Sequence, residues 1–389
     1  MKRKVCIVTG SRAEYGLLKP LIDEIAMDGD LTPCVMVTGS HLAPEFGMTY
    51  REIEEDGVPI AEKIAILLSS DTPVGIAKSM GLGLMGFAEA YARHNPAVVV
   101  GLGDRFELFS AVSAALVARL PVAHIHGGEL TEGAIDDALR HAITKMSHLH
   151  FTATETYRRR VIQLGEPPDR VFAVGALGLD NILRLPLLSR RELERELDLP
   201  LDIPTLLVTF HPVTLEGRGQ SVRQIEALFE VLDELPETKV IFTRANADTD
   251  GRALNELVDG YVARNPARTR AFASLGRLKY LSLLQYVVAV IGNSSSGIIE
   301  APSFRVGTIN IGDRQKGRIR AASVIDCAPT SEGIRAAFAT LFSPRFRQGL
   351  ESVVNPYGDG MAARRITETL KSFRLGNLVK KSFYDINFA

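Results

Sequence analysis

The chain of 389 residues lacks several features that would place it in a special class of protein. It has only three cysteines and no CxxC pair, so we expect no disulfide framework and a reducing, cytoplasmic environment. Its formal net charge is −1, so composition suggests no nucleic-acid partner and no anionic membrane surface. No apolar run is long enough to span a bilayer, and no internal repeat is visible.

Short apolar runs alternate with longer helix-like segments. One series starts at Val5–Val8 and ends at Val171–Val174, and a second starts at Leu206–Phe210 and ends at Thr308–Ile311. This alternation is typical of parallel sheets with right-handed crossovers, and nearly continuous apolar strands indicate sheets covered on both faces. The sequence therefore predicts an α/β protein with two Rossmann-like, doubly wound parallel sheets facing each other across a cleft.

The two series are separated by a stretch that breaks the alternation. Residues 179–199 are rich in Leu, Arg and Glu, and Pro200 and Pro204 then precede a new strand. We therefore expect an N-terminal domain over residues 1–177 and a nucleotide-binding domain over residues 178–359. Helical spacing in Ala362–Phe373 predicts that the last segment, about residues 360–389, packs back on the first domain.

Polar side chains follow the ends of two predicted strands in the first domain. They are Asp104, Arg105, His124, His126, Glu129 and Asp136. Parallel sheets bind ligands at the carboxyl ends of their strands, so these groups are expected at one site, and they are of the kinds that proton transfer needs. The ordinary alternatives are an N-cap for Asp104 and a solvated ion pair between Asp136 and Arg140.

Two strand-to-helix turns are candidates for phosphate binding. In the first, Gly10, Ser11 and Arg12 combine the free N–H groups of a helix start with a guanidinium, although an ordinary turn is equally open. The second carries hydroxyls before a helix and precedes Glu300, which could hold ribose hydroxyls. Its residues are Asn293, Ser294, Ser295, Ser296 and Gly297. A flexible loop is the alternative, and the lack of a Walker lysine excludes an NTPase P-loop.

Other patterns point less clearly to function. Gly81–Gly86 matches GxGxxG, but no strand precedes it, so we interpret it as small residues packed within a helix. His124 and His126 share one face of a strand without an evident third ligand, and Asp248–Asp250 fits a polar turn as well as a metal site. We therefore expect no metal and no cofactor. His211, at the end of a strand, can reach a diphosphate or sugar or be an ordinary satisfied histidine.

Taken together, these residues resemble the hydrolysing UDP-N-acetylglucosamine 2-epimerases of sialic-acid pathways. The similar strings, in chain order, are Gly10–Gly16, Gly103–Glu107, His124–Glu129, Ile135–Asp137, Arg140–Lys145, His211–Thr214, Gly292–Glu300 and Gly312–Gln315. The resemblance implies a glycosyltransferase-B-like fold and a reaction in which UDP leaves C1 while a base removes the C2 proton. Water then adds to the 2-acetamidoglucal, which yields N-acetylmannosamine and UDP.

The resemblance also implies individual roles. Asp104, Glu129 and Asp136 are the acid–base candidates, and His211 faces the diphosphate or the glycosidic oxygen. The implied phosphate contacts are Arg12, Ser294, Ser295 and Arg314. Glu300 is implied to contact the ribose, and Tyr280 the uracil. Some relatives carry a carboxylate where this chain has His126, so either Glu129 takes the part of that acid or His126 acts directly.

Several functions stay open on the sequence. The first is hydrolysis and epimerisation of UDP-N-acetylglucosamine, with UDP-N,N'-diacetylbacillosamine, the substrate of a near relative, as the alternative. A glycosyltransferase of the same fold and a catalytically silent nucleotide-sugar-binding module are the others. The resemblance suggests a homodimer or homotetramer, with a UDP-sugar as the only other partner and neither nucleic acid nor membrane.

Overall fold

The computed structural model describes residues 2–68, 72–131, 135–212, 219–245, 251–374, 376 and 378–386. The chain divides into two units. Unit 1 comprises Met1–Leu183 and Tyr357–Ala389, and unit 2 comprises Arg184–Pro356. The chain therefore leaves unit 1 near Leu183, a few residues after the expected boundary, and returns to it at Tyr357. The possible metal pair Asp248–Asp250 lies outside the described residues.

Unit 1 is built on a seven-stranded sheet whose recorded pairings are all parallel. Its strands are β1 (Arg3–Thr9), β2 (Leu31–Thr38), β3 (Ile60–Ile64), β4 (Val98–Leu102), β5 (Val122–Ile125), β6 (Leu149–Thr152) and β7 (Val171–Ala173). They lie in the order β3-β2-β1-β4-β5-β6-β7. The sequence alone did not predict β3, since this edge strand is only partly buried and carries charged residues.

Helices cover both faces of this sheet. They are α1 (Arg12–Met27), α2 (Tyr50–Glu55), α3 (Pro73–His94), α4 (Phe106–Val117), α5 (Ile135–Met146), α6 (Glu155–Gln163) and α7 (Asp180–Arg184). Successive residues of β1 point to opposite faces. Val5 and Ile7 join one buried cluster with α1, whereas Cys6 and Val8 join another with α3 and α4. Burial on both faces explains why these strands read as continuous apolar runs.

Unit 2 repeats this architecture with six strands, again with parallel pairings. The strands are β8 (Thr205–Thr209), β9 (Lys239–Thr243), β10 (Thr269–Phe272), β11 (Ala289–Gly292), β12 (Gly307–Ile311) and β13 (Val324–Cys327), in the order β10-β9-β8-β11-β12-β13. The helices are α8 (Arg190–Leu197), α9 (Gln220–Asp233), α10 (Gly251–Arg264), α11 (Gly276–Leu283), α12 (Ser296–Ile299), α13 (Ser331–Leu341) and α14 (Pro344–Leu350). The predicted fold class, two parallel α/β sheets, is confirmed.

The last helix, α15 (Ala362–Ser372), belongs to unit 1. Its Ala362, Ile366 and Leu370 are buried in the same cluster as Leu18 and Leu21 of α1. The helix starts against the carboxylate of Asp180, which accepts hydrogen bonds from the backbone N–H groups of Ala362 and Ala363 at 3.1 and 2.8 Å. These contacts tie the end of the chain to the first unit.

The GxGxxG segment lies inside α3, as the sequence analysis predicted. A Cβ atom at Gly83 would lie 2.9 Å from the Cβ of Ser110, and one at Gly86 would lie 2.6 Å from Cγ2 of Ile64. The glycines therefore allow close packing of α3 against α4 and β3 rather than nucleotide binding. Within the described ranges, no helix has the length and apolar character to cross a membrane.

Each sheet has one point at which the strand order reverses direction. In unit 1 it lies between β1 and β4, and in unit 2 between β8 and β11. Doubly wound sheets bind ligands in the crevice at the carboxyl ends of the two strands that flank such a point. The turns that begin at Gly10 and Gly103 occupy this position in unit 1, and those that begin at Phe210 and Asn293 occupy it in unit 2.

Candidate active site

An ion pair between Asp104 and Arg140 stands at the reversal point of unit 1. Asp104 follows β4, whereas Arg140 projects from α5 with only 5% of its side chain exposed. The same guanidinium donates to the backbone oxygen of Glu129 and to Oγ1 of Thr131, both at 2.8 Å, and lies 3.3 Å from Oδ1 of Asp137. Arg140 therefore fixes the Asp104 carboxylate from one side and the chain after β5 from the other.

The ordinary alternative, a solvated pair of Asp136 and Arg140, is wrong, because Arg140 is buried and turned toward Asp104. Asp136 is half-buried beside it. Burial raises the pKa of the Asp136 carboxyl, and the neighbouring charge of Asp104 raises it further. A carboxyl group whose pKa is raised toward neutrality is better suited to exchange a proton during turnover.

A second carboxylate cluster adjoins Asp104. Arg105 makes a two-point ion pair with the buried Glu107, at 3.2 and 3.0 Å, and its Nε lies 3.9 Å from Oε1 of Glu14. Burial raises the pKa of Glu14 to about 7, and the charges of Glu107 and Asp104 add to the effect against the opposing influence of Arg105 and of the Gly10 N–H. The sequence analysis missed Glu14, since an acid in the first turn of a helix is common and carries no distinctive signal.

In this structure, side chains of unit 1 engage the donors of the first expected phosphate turn. The N–H of Gly10 donates to Oε2 of Glu14 at 2.7 Å. The hydroxyl of Ser11 accepts from the N–H of Glu14 at 3.4 Å and so caps α1. Arg12 pairs with Glu52 at 3.0 Å on the surface. A phosphate bound here would have to replace these internal acceptors.

His124 is a buried support rather than a surface that could contact a ligand. Its Nε2 donates to the oxygen of Gly103 at 2.7 Å, and its Nδ1 lies 3.1 Å from Oγ1 of Thr144. Burial lowers the pKa of His124 to about 3, so the ring is neutral. The direct substrate contact expected for His124 is therefore corrected: the ring holds the turn that precedes Asp104.

His126 and His124 do not share a strand face, contrary to the expectation from their spacing. The strand β5 ends at Ile125, and His126 adopts a left-handed backbone conformation with φ of +66°. This turn brings Nδ1 of His126 to 3.2 Å from Oε1 of Glu129. His126 and Glu129, which the sequence left as alternatives, are therefore in contact with each other.

In unit 2, the side chain of Asn293 holds the backbone of His211. The N–H of His211 donates to Oδ1 of Asn293 at 2.7 Å, and Nδ2 of Asn293 donates to the His211 oxygen at 2.8 Å. Arg314 and Gln315 in turn donate to the backbone oxygen of Asn293 at 3.0 and 2.9 Å. The direct nucleotide contact expected for the Asn293 side chain is therefore corrected, because the buried amide fixes His211 at the end of β8.

The preceding residue, Gly292, allows this close approach of two strands. Its φ is +129°, and a Cβ atom there would lie 2.0 Å from the backbone oxygen of Thr209. No side chain fits between the ends of β8 and β11 at this position. Gly297 has a similar role one turn later, because a Cβ atom would come within 2.7 Å of Cγ2 of Thr308.

The hydroxyl-rich turn of unit 2 leads into a small polar network. Ser295 occupies the N-cap position of the short helix α12 without a capping hydrogen bond from its side chain, and the hydroxyl of Ser294 accepts from the N–H of Ser296 at 3.4 Å. The hydroxyl of Ser296 contacts the hydroxyl of Tyr280 at 2.6 Å and donates to the carboxylate of Glu300. Burial raises the pKa of Glu300. Tyr280 thus directs its hydroxyl toward Ser296 and Glu300.

These features define an α/β enzyme with the glycosyltransferase-B-like fold, with acids at one reversal point and a hydroxyl-rich turn at the other. The model of the family named UDP-N-acetylglucosamine 2-epimerase matches residues 23–371, and the chain belongs to this family. The family and the class of enzyme expected from the sequence are confirmed.

Individual relatives match along nearly the whole chain. A protein of Campylobacter jejuni named GDP/UDP-N,N'-diacetylbacillosamine 2-epimerase (hydrolyzing) is 44% identical over 386 residues, which cover 99% of this chain and 100% of the relative. A Legionella pneumophila protein named UDP-N,N'-diacetylbacillosamine 2-epimerase (hydrolyzing) is 35% identical, with 96% and 97% covered. The fold matches the crystal structure of a Neisseria meningitidis UDP-GlcNAc 2-epimerase bound to UDP-GlcNAc, with a TM-score of 0.82, 20% identity, and 94% and 99% covered.

Proposed function

We propose that this protein is a hydrolysing 2-epimerase of nucleoside-diphosphate-linked N,N'-diacetylbacillosamine, which releases the C2-epimeric sugar and the nucleoside diphosphate. The observation that carries the proposal is the 44% identity, from end to end, with a relative named for that reaction. A second relative, 35% identical, carries the same sugar in its name. The sequence alone favours UDP-N-acetylglucosamine as the main substrate, whereas these relatives favour its alternative.

In the proposed reaction, Asp104 is the base that removes the C2 proton. The electron pair of the C2–H bond forms the C1=C2 double bond while the bond from C1 to the diphosphate oxygen breaks. The contact with Arg140 supports this role, since the guanidinium fixes the direction of the carboxylate. The leaving diphosphate takes the electron pair of the C1–O bond.

Hydration then completes the reaction. A water molecule adds its oxygen to C1 and gives up a proton, while another proton is delivered to C2 on the face that produces the epimer. We assign these proton transfers to Asp136 and to the pair of His126 and Glu129. The raised pKa of Asp136 supports this assignment, because burial and the charge of Asp104 make its carboxyl hold a proton more readily than a free aspartate does.

The remaining expected contacts are proposed for the nucleotide. We assign the diphosphate to His211 and Arg314 and to two turns, Gly10–Arg12 and Ser294–Gly297, and the ribose to Glu300. The hydrogen bond from Ser296 to Glu300 supports the ribose assignment, since ribose hydroxyls have the same chemistry as the serine hydroxyl that the carboxylate accepts from. The expected stacking of Tyr280 on uracil remains a prediction. None of these contacts requires a cofactor.

The test is incubation with four substrates in D2O without an acceptor, followed by NMR. The substrates are UDP- and GDP-linked N,N'-diacetylbacillosamine, UDP-N-acetylglucosamine and UDP-N-acetylgalactosamine, the last as a control. We expect free sugar with deuterium at C2, and free nucleoside diphosphate, from at least one diacetylbacillosamine substrate. Turnover of UDP-N-acetylglucosamine alone would overturn the choice of sugar. A product still linked to UDP would indicate a non-hydrolysing epimerase.

Two further outcomes would contradict the reaction itself. Release of nucleoside diphosphate only after an acceptor is added would indicate a glycosyltransferase. Binding of UDP without turnover of any substrate would indicate a silent binding module. In that case the ion pair of Asp104 and Arg140 would have no catalytic purpose.

We further infer that the protein acts as a homo-oligomer, a dimer or a tetramer. Helix α3 supports this inference, because it exposes several apolar side chains, among them Val74, Leu82 and Met85. Apolar surface concentrated on one element is typical of protein–protein contacts. Light scattering after gel filtration is expected to give at least twice the mass of the chain, and replacement of Met85 by Glu is expected to lower it.

A further inference from the structure

The segment of residues 378–386 docks on the C-terminal end of α5, the helix that carries Arg140 near its middle. Nζ of Lys381 donates to the backbone oxygens of Lys145 and Ser147 at 2.6 and 2.7 Å. The last carbonyl groups of a helix have no partner within the helix, and a cation interacts favourably with them. Lys381 therefore caps α5 from a segment more than 200 residues away.

Three more contacts hold this segment in place. The N–H of Tyr384 donates to the backbone oxygen of Gly165 at 2.9 Å. The ring of Phe383 lies so close to Gly165 that a Cβ atom there would be 2.3 Å from Cε2. Nζ of Lys145 lies 4.8 Å from the centre of the same ring. The segment is thus packed as well as hydrogen-bonded.

The carboxylate of Glu166 joins Lys145 and Lys381. It is fully buried, and it contacts Nζ of Lys145 at 2.7 Å, Nζ of Lys381 at 2.7 Å and Nε2 of His150 at 2.9 Å. Burial alone would raise the pKa of Glu166, but the hydrogen bonds from these groups bring it down to about 2. A buried carboxylate that loses one such partner destabilises its surroundings, since its charge is no longer compensated.

Two paths of contacts lead from this cluster to Asp104. One runs along α5, a rigid helix whose Lys145 lies at the docked end and whose Arg140 contacts Asp104. The other runs through the sheet, where His150 of β6 is paired with His124 of β5. The ring of His124 holds the oxygen of Gly103, directly before Asp104. The first path ends on the carboxylate of Asp104, and the second ends on the backbone directly before it.

We propose that Lys381 is a positioning residue for the reaction, which acts by holding Glu166 and the end of α5 so that Arg140 stays against Asp104. The proposal rests on the proposed role of Asp104 as the base. Lys381 does not touch the reacting atoms. Its effect is therefore expected on the chemical step rather than on the binding of the nucleotide.

The test compares three variants of the full chain. Lys381→Met removes the ammonium group but keeps most of the side-chain length, Lys381→Arg restores a cationic donor, and Lys380→Met is the control at an exposed neighbour. We expect Lys381→Met to lower kcat about tenfold, since small displacements of catalytic groups have effects of this order or larger. KM and the affinity for UDP should change less than twofold, Lys381→Arg should recover most of kcat, and Lys380→Met should match the parent.

Three kinetic results would overturn the proposal. The first is a kcat of Lys381→Met within twofold of the parent. The second is an equal loss in Lys380→Met. The third is a Lys381→Arg variant that is folded but no more active than Lys381→Met. A loss of thermal stability with unchanged kcat per folded molecule would likewise assign Lys381 a structural role only.

Hydrogen exchange gives a readout that needs no substrate. In Lys381→Met, the amides of α5 are expected to exchange faster than in the parent, whereas those of α9 in unit 2 should be unchanged. Unchanged exchange in α5 would overturn the coupling. If instead the parent chain turns over none of the sugar nucleotides, the proposed function fails, and the exchange result still decides whether Lys381 holds α5.

Discussion

The contact between Arg140 and Asp104 gives the sharpest test of the site. Replacing Arg140 by Met removes the guanidinium and leaves the carboxylate without its main partner. Loss of one member of a buried ion pair costs about 3–5 kcal/mol. Because 22% of the Asp104 side chain is exposed, water compensates in part, and we expect a loss of about 2–3 kcal/mol in the free energy of unfolding.

The effect on catalysis is expected to be larger than the effect on stability. A base that loses its orientation is expected to reduce kcat by about two to three orders of magnitude, the usual range for a positioned proton-transfer group. Arg140→Lys keeps a charge but loses the planar fork that reaches several acceptors at once, so it should recover little activity. Arg159→Met, which removes a largely exposed arginine on α6, is the control and should change neither property.

The assay is a double-mutant cycle with Asp104→Asn, measured by chemical denaturation and by release of the nucleoside diphosphate. If the two side chains act together, the double variant should be about as slow as Asp104→Asn alone. The coupling in the free energy of unfolding should reach about 1–2 kcal/mol. Full activity of Arg140→Lys, or losses in kcat that simply multiply, would refute the argument.

Three further predictions follow from other contacts. Asn293→Asp can still accept from the His211 N–H but can no longer donate to the His211 oxygen, so kcat should fall about tenfold or more, with UDP affinity measured by calorimetry falling less. Gly292→Ala should lower the free energy of unfolding, measured by urea titration, by about 3 kcal/mol or more, since both its φ and the contact with Thr209 exclude a Cβ atom. The control is Gly29→Ala, whose Cβ atom would meet no atom within 4 Å, and it should change the free energy of unfolding by less than about 1 kcal/mol. His124 is buried and neutral, with a pKa of about 3 that lies below its unfolded value. Its contribution to the free energy of unfolding is therefore complete above about pH 6.5 and declines as the pH falls, by about 2 kcal/mol at pH 5. The free energy of unfolding, measured by chemical denaturation across this range, should depend less steeply on pH in His124→Gln than in the parent. An identical pH dependence would contradict the assignment.

Continuous apolar strands and the polar groups after them could be predicted from the sequence for a physical reason. Strands such as β4 are covered on both faces, so nearly every residue is apolar, and parallel pairing brings their carboxyl ends to one edge. The edge strand β3 could not be recognised, because only Ile64 of its five residues is fully buried. This edge strand therefore lacks the continuous apolar signal that reveals β4.

The partners of the site residues were harder to predict than their positions. Arg140 lies 36 residues from Asp104, and nothing in local spacing distinguishes its inward turn from a solvated helix face. The contact of His126 with Glu129 depends on one left-handed residue, which a strand pattern does not reveal. Asn293 was correctly placed in the hydroxyl-rich turn, but its amide is used by His211, a contact between residues 82 positions apart.

The return of α15 to unit 1 has a consequence for synthesis of the chain. The interior that Leu18 and Leu21 share with Ile366 and Leu370 cannot close until α15 has been translated. Unit 2 is one uninterrupted stretch and has no such delay. On the ribosome, the middle of the polypeptide should therefore become resistant to protease before its beginning, and the apolar side of α1 has to be protected in the interval.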